Sequence, residues 1–322
     1  MPNPDHRLRL DPWAAEYEGA IQLTDEEEPA RVDIGVETAE WAAVRPAAAP
    51  PPGRLAFVDG VRRVEHRVLI EDDEKTVFGV LGSYGVGATT IAGVARVGHE
   101  MVGRVLVTGG GLLLPPFTAA VGSGGALVFV PLSEVENTPA AAVQGLQKAM
   151  RQGEAGLAER LAAEVDVVFL DGPLTYVTAT ARGPVVGFVK RLLRTYLDPS
   201  ASKLLPRLGV GERTPVFLVE GSREPRYSWY LRLGTGRSFD SALTGIVRLE
   251  SASSQGLDAV RALADLSARE LARFASDRAR DPRAPQNLLP IGALEGRLRH
   301  LLGDPTLIRR AVEARLHEEV TA

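Results

Sequence analysis

The run VDVVFLDGPL, residues 165–174, is apolar without a break from Val167 to Leu170 and stops at Asp171-Gly172. A strand with one wet face alternates apolar and polar residues. A continuous apolar run is what a strand covered on both faces requires. Such a strand lies inside a sheet with helices on either side. The flanks agree. Upstream, Thr138-Pro139 makes a helix cap and first-turn pair, and AAAVQGLQKAMRQGEAGLAERLAAE predicts a helix to about Glu164. Downstream, GPVVGFVKRLLRTYL passes from strand to helix.

Further out, the pattern is mostly strand. LAFVDG (55–60) is an apolar run ending in Asp-Gly, and VRRVEHRVLI (61–70) starts with near-alternation. TVFGVLGSYGVGATTIAG (76–93) suggests one or two strands. GRVLVTGG, GALVFVPL, PVFLVEG, SWYLRLG and GIVRLES suggest more. Residues 255–280 predict an amphipathic helix with arginines on its polar face, and another helix starts near Ile291. Residues 1–53 carry an acidic run, Asp25 to Glu28, with Trp13, Tyr17 and Trp41, and end in the Pro-rich AAAPPPG. They read as an N-terminal helical segment and connection ahead of a main domain at 54–322. The aromatics are candidate anchors for a partner or for the chain's own core. The fold class expected is α/β: a mixed β-sheet flanked by helices, with helical additions at both ends.

Composition narrows the chemistry. None of the 322 residues is cysteine, which excludes disulfides, thiolate zinc sites and cysteine nucleophiles. No stretch has the roughly 18 apolar residues of a membrane span, and the first residues lack a signal-peptide core, so no membrane and a cytoplasmic location are expected. The net charge of -4 argues against a generally basic surface. Charge is uneven, however: Arg182, Lys190, Arg191, Arg194, Lys203, Arg207 and Arg213 face only Asp198 and Glu212 between 182 and 213. This stretch is either a basic lane for phosphates or a solvated helix face. GSYGVGATT (82–90) nearly spells a phosphate-binding loop, but Ala88 stands where the lysine belongs, which removes the chief charge partner. Glycines permitting turns or bulges between strands explain it better.

Two places share one design. Phe57-Val58-Asp59-Gly60 and Phe169-Leu170-Asp171-Gly172 each end an apolar run with Asp-Gly. An Asp at the end of a buried strand is costly unless a cation meets it, and the neighbouring glycine lets a ligand approach the backbone. Asp-Gly is also a strong hairpin-turn signal. The occurrence of two matching sites favours a metal, with ligands gathered by the fold rather than by a local loop. The five histidines, His6, His66, His99, His300 and His317, have no metal-ligand spacing.

LAFVDGVRR, VVFLDGPL and VVGFVKR together resemble the NurA family of DNA nucleases. The resemblance implies a ribonuclease H-like sheet with Asp59 on its first strand and Asp171 on a later one. It also implies a helix glutamate, best matched by Glu154, with Glu159 and Glu164 as competitors. The family's closing Pro-Leu-x-x-Ala-[His/Asp] motif reads here Pro290-Ile291-Gly292-Ala293-Leu294-Glu295, with Glu295 in place of His or Asp and His300 as an alternative. Gln286 and Asn287 stand where the family tends to place an aromatic. Implied with these are Mn²⁺ or Mg²⁺, two ions, held by Asp59, Glu154, Asp171 and Glu295. All-oxygen ligands suit such ions. Lys190 would assist catalysis, and Arg62, Arg182, Arg191 and Arg194 would bind DNA. The implied activity is 5′-to-3′ exonuclease with single-strand endonuclease cleavage, in DNA end processing and recombinational repair. The implied assembly is a homodimer on a hexameric HerA-like ATPase. Two other readings stand beside it: a catalytically inactive ribonuclease H-like DNA-binding partner, and a DNA clamp of another fold with Asp59 and Asp171 as turn residues.

Overall fold

A computed structural model describes residues 7–10, 30–72, 75–122, 124–178, 183–190, 196–221, 224–277, 279, 281 and 283–321. In chain order the strands are β1 (Arg7–Leu10), β2 (Arg31–Asp33), β3 (Leu55–Asp72), β4 (Lys75–Ala92), β5 (Val94–Thr108), β6 (Phe117–Val121) and β7 (Gly125–Ser133). After helix α1 (Pro139–Leu161) come β8 (Val167–Asp171), β9 (Val185–Val189), β10 (Phe217–Glu220), β11 (Arg226–Arg232) and β12 (Ile246–Ala252). Helices α2 (Leu257–Glu270), α3 (Leu289–Leu301) and α4 (Pro305–Thr321) follow. The described strands form one mixed sheet in the order β2-β10-β11-β12-β9-β8-β3-β4-β5-β7-β6, with β1 pairing on β3.

At its centre β3, β4 and β5 make an antiparallel meander. The chain then crosses through α1 and returns as β8, parallel to β3, and β9, parallel to β8. Val167 to Leu170 are all buried, as their unbroken apolar run demands. α1 starts as its sequence predicts: Thr138 Oγ1 accepts a hydrogen bond from the Ala141 amide, and Pro139 sits in the first turn.

α1 and α3 lie on opposite faces of the meander, and glycines explain how closely they approach. A Cβ on Gly82 would lie 2.5 Å from Leu146 of α1, and one on Gly87 would lie 3.0 Å from Leu294 of α3. The glycine-rich GSYGVGATT is therefore neither a phosphate loop nor a turn. It is the middle of β4, facing an irregularity of β5 at His99–Glu100, and it seats a helix on each side. Thr89, in the position of the loop's hydroxyl, donates instead to the Pro290 carbonyl at 3.0 Å and ties the start of α3 to β4.

Other expectations change. LAFVDG and VRRVEHRVLI are one 18-residue strand, β3, so Asp59 lies within a strand and not at its end. The hairpin-turn reading of Asp59-Gly60 falls with it. The N-terminal segment was expected to be helical, but its described residues supply strands β1 and β2. Edge pairing with β10, Arg31 opposite Glu220 and Asp33 opposite Leu218, overrides the local pattern. Trp41 packs edge-on to Phe217 at 6.2 Å, and its ring N–H donates to the Ala201 carbonyl, so it anchors its own chain rather than a partner. Trp13 and Tyr17 lie outside the described residues. The helix expected after Lys190 falls mostly on residues 191–195, also outside them.

Candidate metal centre

The two Asp-Gly sites meet because β3 and β8 run parallel in register. Phe57 pairs with Phe169 and Val58 with Leu170, so Asp59 and Asp171 come next, side by side. The two phenylalanine rings stack at 5.4 Å beneath them and fix the spacing. α3 brings the third carboxylate. Asp59, Asp171 and Glu295 each offer an oxygen, and the three oxygens lie within 4.8 Å of one another. His300 is exposed on another side of α3, so Glu295 is the one that points in.

Glu154 approaches from the α1 side and is fully buried. It is not one of the converging three. Oε2 accepts a hydrogen bond from Arg151 Nη1 at 2.9 Å, and Oε1 is buried against Gly60. Gly60 makes room for it: a Cβ there would lie 2.6 Å from Oε1. The competitors drop out. Glu159 accepts from the Thr178 amide, and Glu164 is exposed beyond the end of α1.

Lys190, just after β9, places Nζ 2.5 Å from Asp171 Oδ2 and 2.7 Å from Asn287 Oδ1. Asn287 in turn donates to Asp281, and Arg283 donates to Asp281 and to both oxygens of Glu295, at 2.8 and 3.1 Å. Arg299 adds a bond to Glu295 at 3.0 Å. Arg151, Asp281, Arg283 and Asn287 carry no sequence signal of their own, because their roles depend on segments distant in the chain.

The electrostatics are those of crowded buried acids. Burial, then the charges of Asp171 and Glu154, push Asp59 well above the usual carboxylate range. Burial pushes Glu154 up to about 7, against the pull of Arg151. Burial also acts to raise Glu295, but the Arg283 hydrogen bonds and the charges of Arg283 and Arg299 outweigh it and hold Glu295 below its ordinary value. An all-oxygen set with a buried acid that resists ionisation suits a hard divalent cation, which would restore the charge balance. The donor set therefore fits Mg²⁺ or Mn²⁺.

The basic lane is thinner than its sequence suggests. Arg213 is 1% exposed and bound to Glu37 and Asp265, so it is unavailable to a phosphate. Lys190 belongs to the acid cluster. Arg62 is half-buried and donates to Gln147 at 2.6 Å. Arg182, Arg191 and Arg194 lie outside the described residues. No described helix is long and apolar enough to cross a membrane.

Residues 132–291 match the NurA domain family, a span that holds Glu154, Asp171 and Lys190 and leaves Asp59 and Glu295 outside. No curated protein matches the chain. Among solved structures, the crystal structure of the NurA nuclease from Sulfolobus solfataricus is similar at 11% identity and a TM-score of 0.48, over 87% of this chain and 88% of that one.

Proposed function

The chain belongs to the NurA family, and on that premise we propose that it is a divalent-metal-dependent deoxyribonuclease with a ribonuclease H-like core. One observation carries this reading. Acids from β3, β8 and α3, distant in sequence, present oxygens within 4.8 Å of one another, and a lysine touches one of them. The strand order β5-β4-β3-β8-β9, with β3 and β5 each antiparallel to β4 and the rest parallel, supports the ribonuclease H-like assignment.

Asp59, Asp171 and Glu295 would hold the ion. When bound, Mn²⁺ or Mg²⁺ supplies an activated water and a counter-charge for the scissile phosphate. Lys190 holds a positive charge beside Asp171, where it can donate to a phosphate oxygen as charge builds on it. The Asn287 carbonyl oxygen fixes that ammonium from the other side. Glu154, seated by Gly60, completes the acidic wall. Arg62, Arg182, Arg191 and Arg194 would contact the DNA backbone. Cleavage as a 5′-to-3′ exonuclease with single-strand endonuclease activity, in end processing and recombinational repair, follows from the family resemblance. So do a homodimer on a hexameric HerA-like ATPase and a cytoplasmic setting. The ATPase would supply the motor that a chain with Ala88 in its only phosphate-loop-like stretch lacks.

A second reading has one observation in its favour. Both oxygens of Glu295 are already bonded to arginine, which suits a DNA-binding partner that has lost catalysis. Linear DNA labelled at the 5′ or 3′ end, incubated with Mn²⁺, Mg²⁺ or EDTA, alone and with a HerA-like ATPase, separates the two. The nuclease reading expects metal-dependent cleavage that Asp59→Asn abolishes in a folded protein. Cleavage that survives Asp59→Asn would reject this mechanism, and no cleavage under any condition would favour the inactive partner.

A further inference from the structure

Asp171, Glu154 and Glu295 each have a basic side chain against them, and these cations differ in how much donor capacity they have left. Lys190 is held between Asp171 and Asn287. Arg151 gives Nη1 to Glu154 and to the Asp171 carbonyl, and only 25% of its side chain is exposed. Arg283 is spent: Nε, Nη1 and Nη2 all bond to Asp281 or Glu295. Arg299 is different. One turn beyond Glu295 on α3, it gives only Nη2 to Glu295 Oε2, at 3.0 Å. Among the described residues its Nε and Nη1 have no partner, and 63% of the side chain is exposed.

The surface around Arg299 suits a polyanion. Between Ala293 and His300 the exposed positions of α3 are Ala293, Gly296, Arg297, Arg299 and His300, and none is acidic. An ordinary helix pair of this spacing joins two exposed groups that screen each other. Here the acid is buried in the centre and only the arginine reaches solvent, so the pair carries positive charge from the acid cluster to the surface. Arg297 is already paired with Glu100 of β5, which leaves Arg299 as the cation of this face with donors to spare. Nothing lies within 4 Å of a Cβ built on Gly296, so another chain can pass close to the helix backbone beside it.

We propose that a DNA strand reaches the centre along this face of α3, with the open nitrogens of Arg299 donating to the phosphate next to the one that is cleaved. The proposal rests on the nuclease reading above and names a contact for its substrate. Arg299 then works from the Glu295 side of the three acids, as Lys190 works from the Asp171 side. Its ligand is a phosphodiester oxygen, so it fixes the position of the strand and reads no sequence. The tie through Nη2 holds the guanidinium at the edge of the centre, which lowers the cost of ordering a long side chain when the phosphate binds.

The test is equilibrium binding of the full chain to fluorescein-labelled single-stranded DNA in EDTA, read by anisotropy over a series of NaCl concentrations, with Mn²⁺ binding followed separately by calorimetry. Arg299→Met should weaken DNA binding and reduce the slope of log affinity against log salt by about 0.7, the share of one phosphate contact on a single strand. Mn²⁺ binding should persist. Arg299→Lys, which keeps the charge, should restore the slope. Arg45→Met, which takes a similarly exposed arginine from Glu212, is the control and should leave the slope unchanged. An unchanged slope in Arg299→Met, or an equal drop in Arg45→Met, would overturn the proposal, while Mn²⁺-dependent cleavage by wild type would still uphold the nuclease reading. Loss of Mn²⁺ with an unchanged slope would overturn it too, and would make Arg299 a support of Glu295 alone. A wild-type chain that binds no DNA would overturn both.

Discussion

Replacing Gly60 with alanine should cost more rate than stability. The glycine lies within β3 at an ordinary extended angle, so the backbone accepts alanine, and any penalty is steric. The new Cβ would lie 2.6 Å from Glu154 Oε1, 2.9 Å from Met150 Cγ and 3.1 Å from the Gly85 carbonyl. Ordinary contact begins near 3.4 Å, so Glu154 must retreat by roughly 0.8 Å. Overpacking of this kind costs about 1–3 kcal/mol. The stiffer unfolded chain offsets about 0.4–1 kcal/mol, leaving a net loss near 1–2 kcal/mol. A 1 Å misplacement at a reacting centre costs on the order of a hundredfold, so cleavage should fall by about ten- to a hundredfold. The assays are urea melts and Mn²⁺-dependent cleavage of end-labelled DNA. Gly296→Ala is the control. Gly296 follows Glu295 on α3, with nothing within 4 Å of its missing Cβ, so alanine should stabilise by up to about 1 kcal/mol and leave the rate unchanged. If Gly60→Ala keeps full rate and stability, Glu154 is not seated as described, and its part in the site is refuted.

Three other outcomes follow. Lys190→Met removes the ammonium that donates to Asp171 from just beyond β9. Cleavage should fall about 10²–10³-fold while Mn²⁺ binding persists in calorimetry; loss of the ion instead would make Lys190 a structural support. Glu37 accepts from buried Arg213 and from the Val216 amide, and although burial opposes it, these bonds hold its carboxyl below the ordinary range. A depressed folded-state value gives stability that is fully present above the unfolded value, about 4.3, and lost as pH falls through the folded value. Glu37→Ala should therefore flatten the loss of stability below about pH 4.3 and cost about 1.5–3 kcal/mol at neutral pH, since Arg213 loses one carboxylate but keeps Asp265 and the Thr214 carbonyl; equal acid melting of mutant and wild type would contradict this. Reversing charge at Arg191 and Arg194 should weaken DNA binding and reduce the slope of log affinity against log salt; an unchanged slope would remove this stretch from the DNA path.

What could be read in advance was local. An unbroken apolar run marks a covered strand wherever it occurs, so β8 and its Asp171 were legible, as was the cap of α1 at Thr138-Pro139. The matching Phe-x-Asp-Gly runs pointed to Asp59 and Asp171 as a pair, and the parallel register places them side by side. What failed was judgement about glycine. In β4 the glycines suggested turns or bulges between strands, because a sequence cannot show that a helix lies on each face and needs the room. Arg213 looked like part of a basic lane, since its partners, Glu37 and Asp265, are 176 and 52 residues away. Arg151 and Asn287 were missed for the same reason: each acquires its meaning only when α1, β8 and the approach to α3 converge. Strand β2 was hidden because edge pairing with β10, not local propensity, makes it a strand.

The most direct test of the account is a crystal soaked in Mn²⁺, with diffraction data collected on both sides of the manganese absorption edge. The account predicts an anomalous peak bounded by oxygens of Asp59, Asp171 and Glu295, and its disappearance in Asp171→Asn. A clean map with no peak among these three carboxylates, or with manganese bound elsewhere while Asp171→Asn still cleaves DNA, would contradict it.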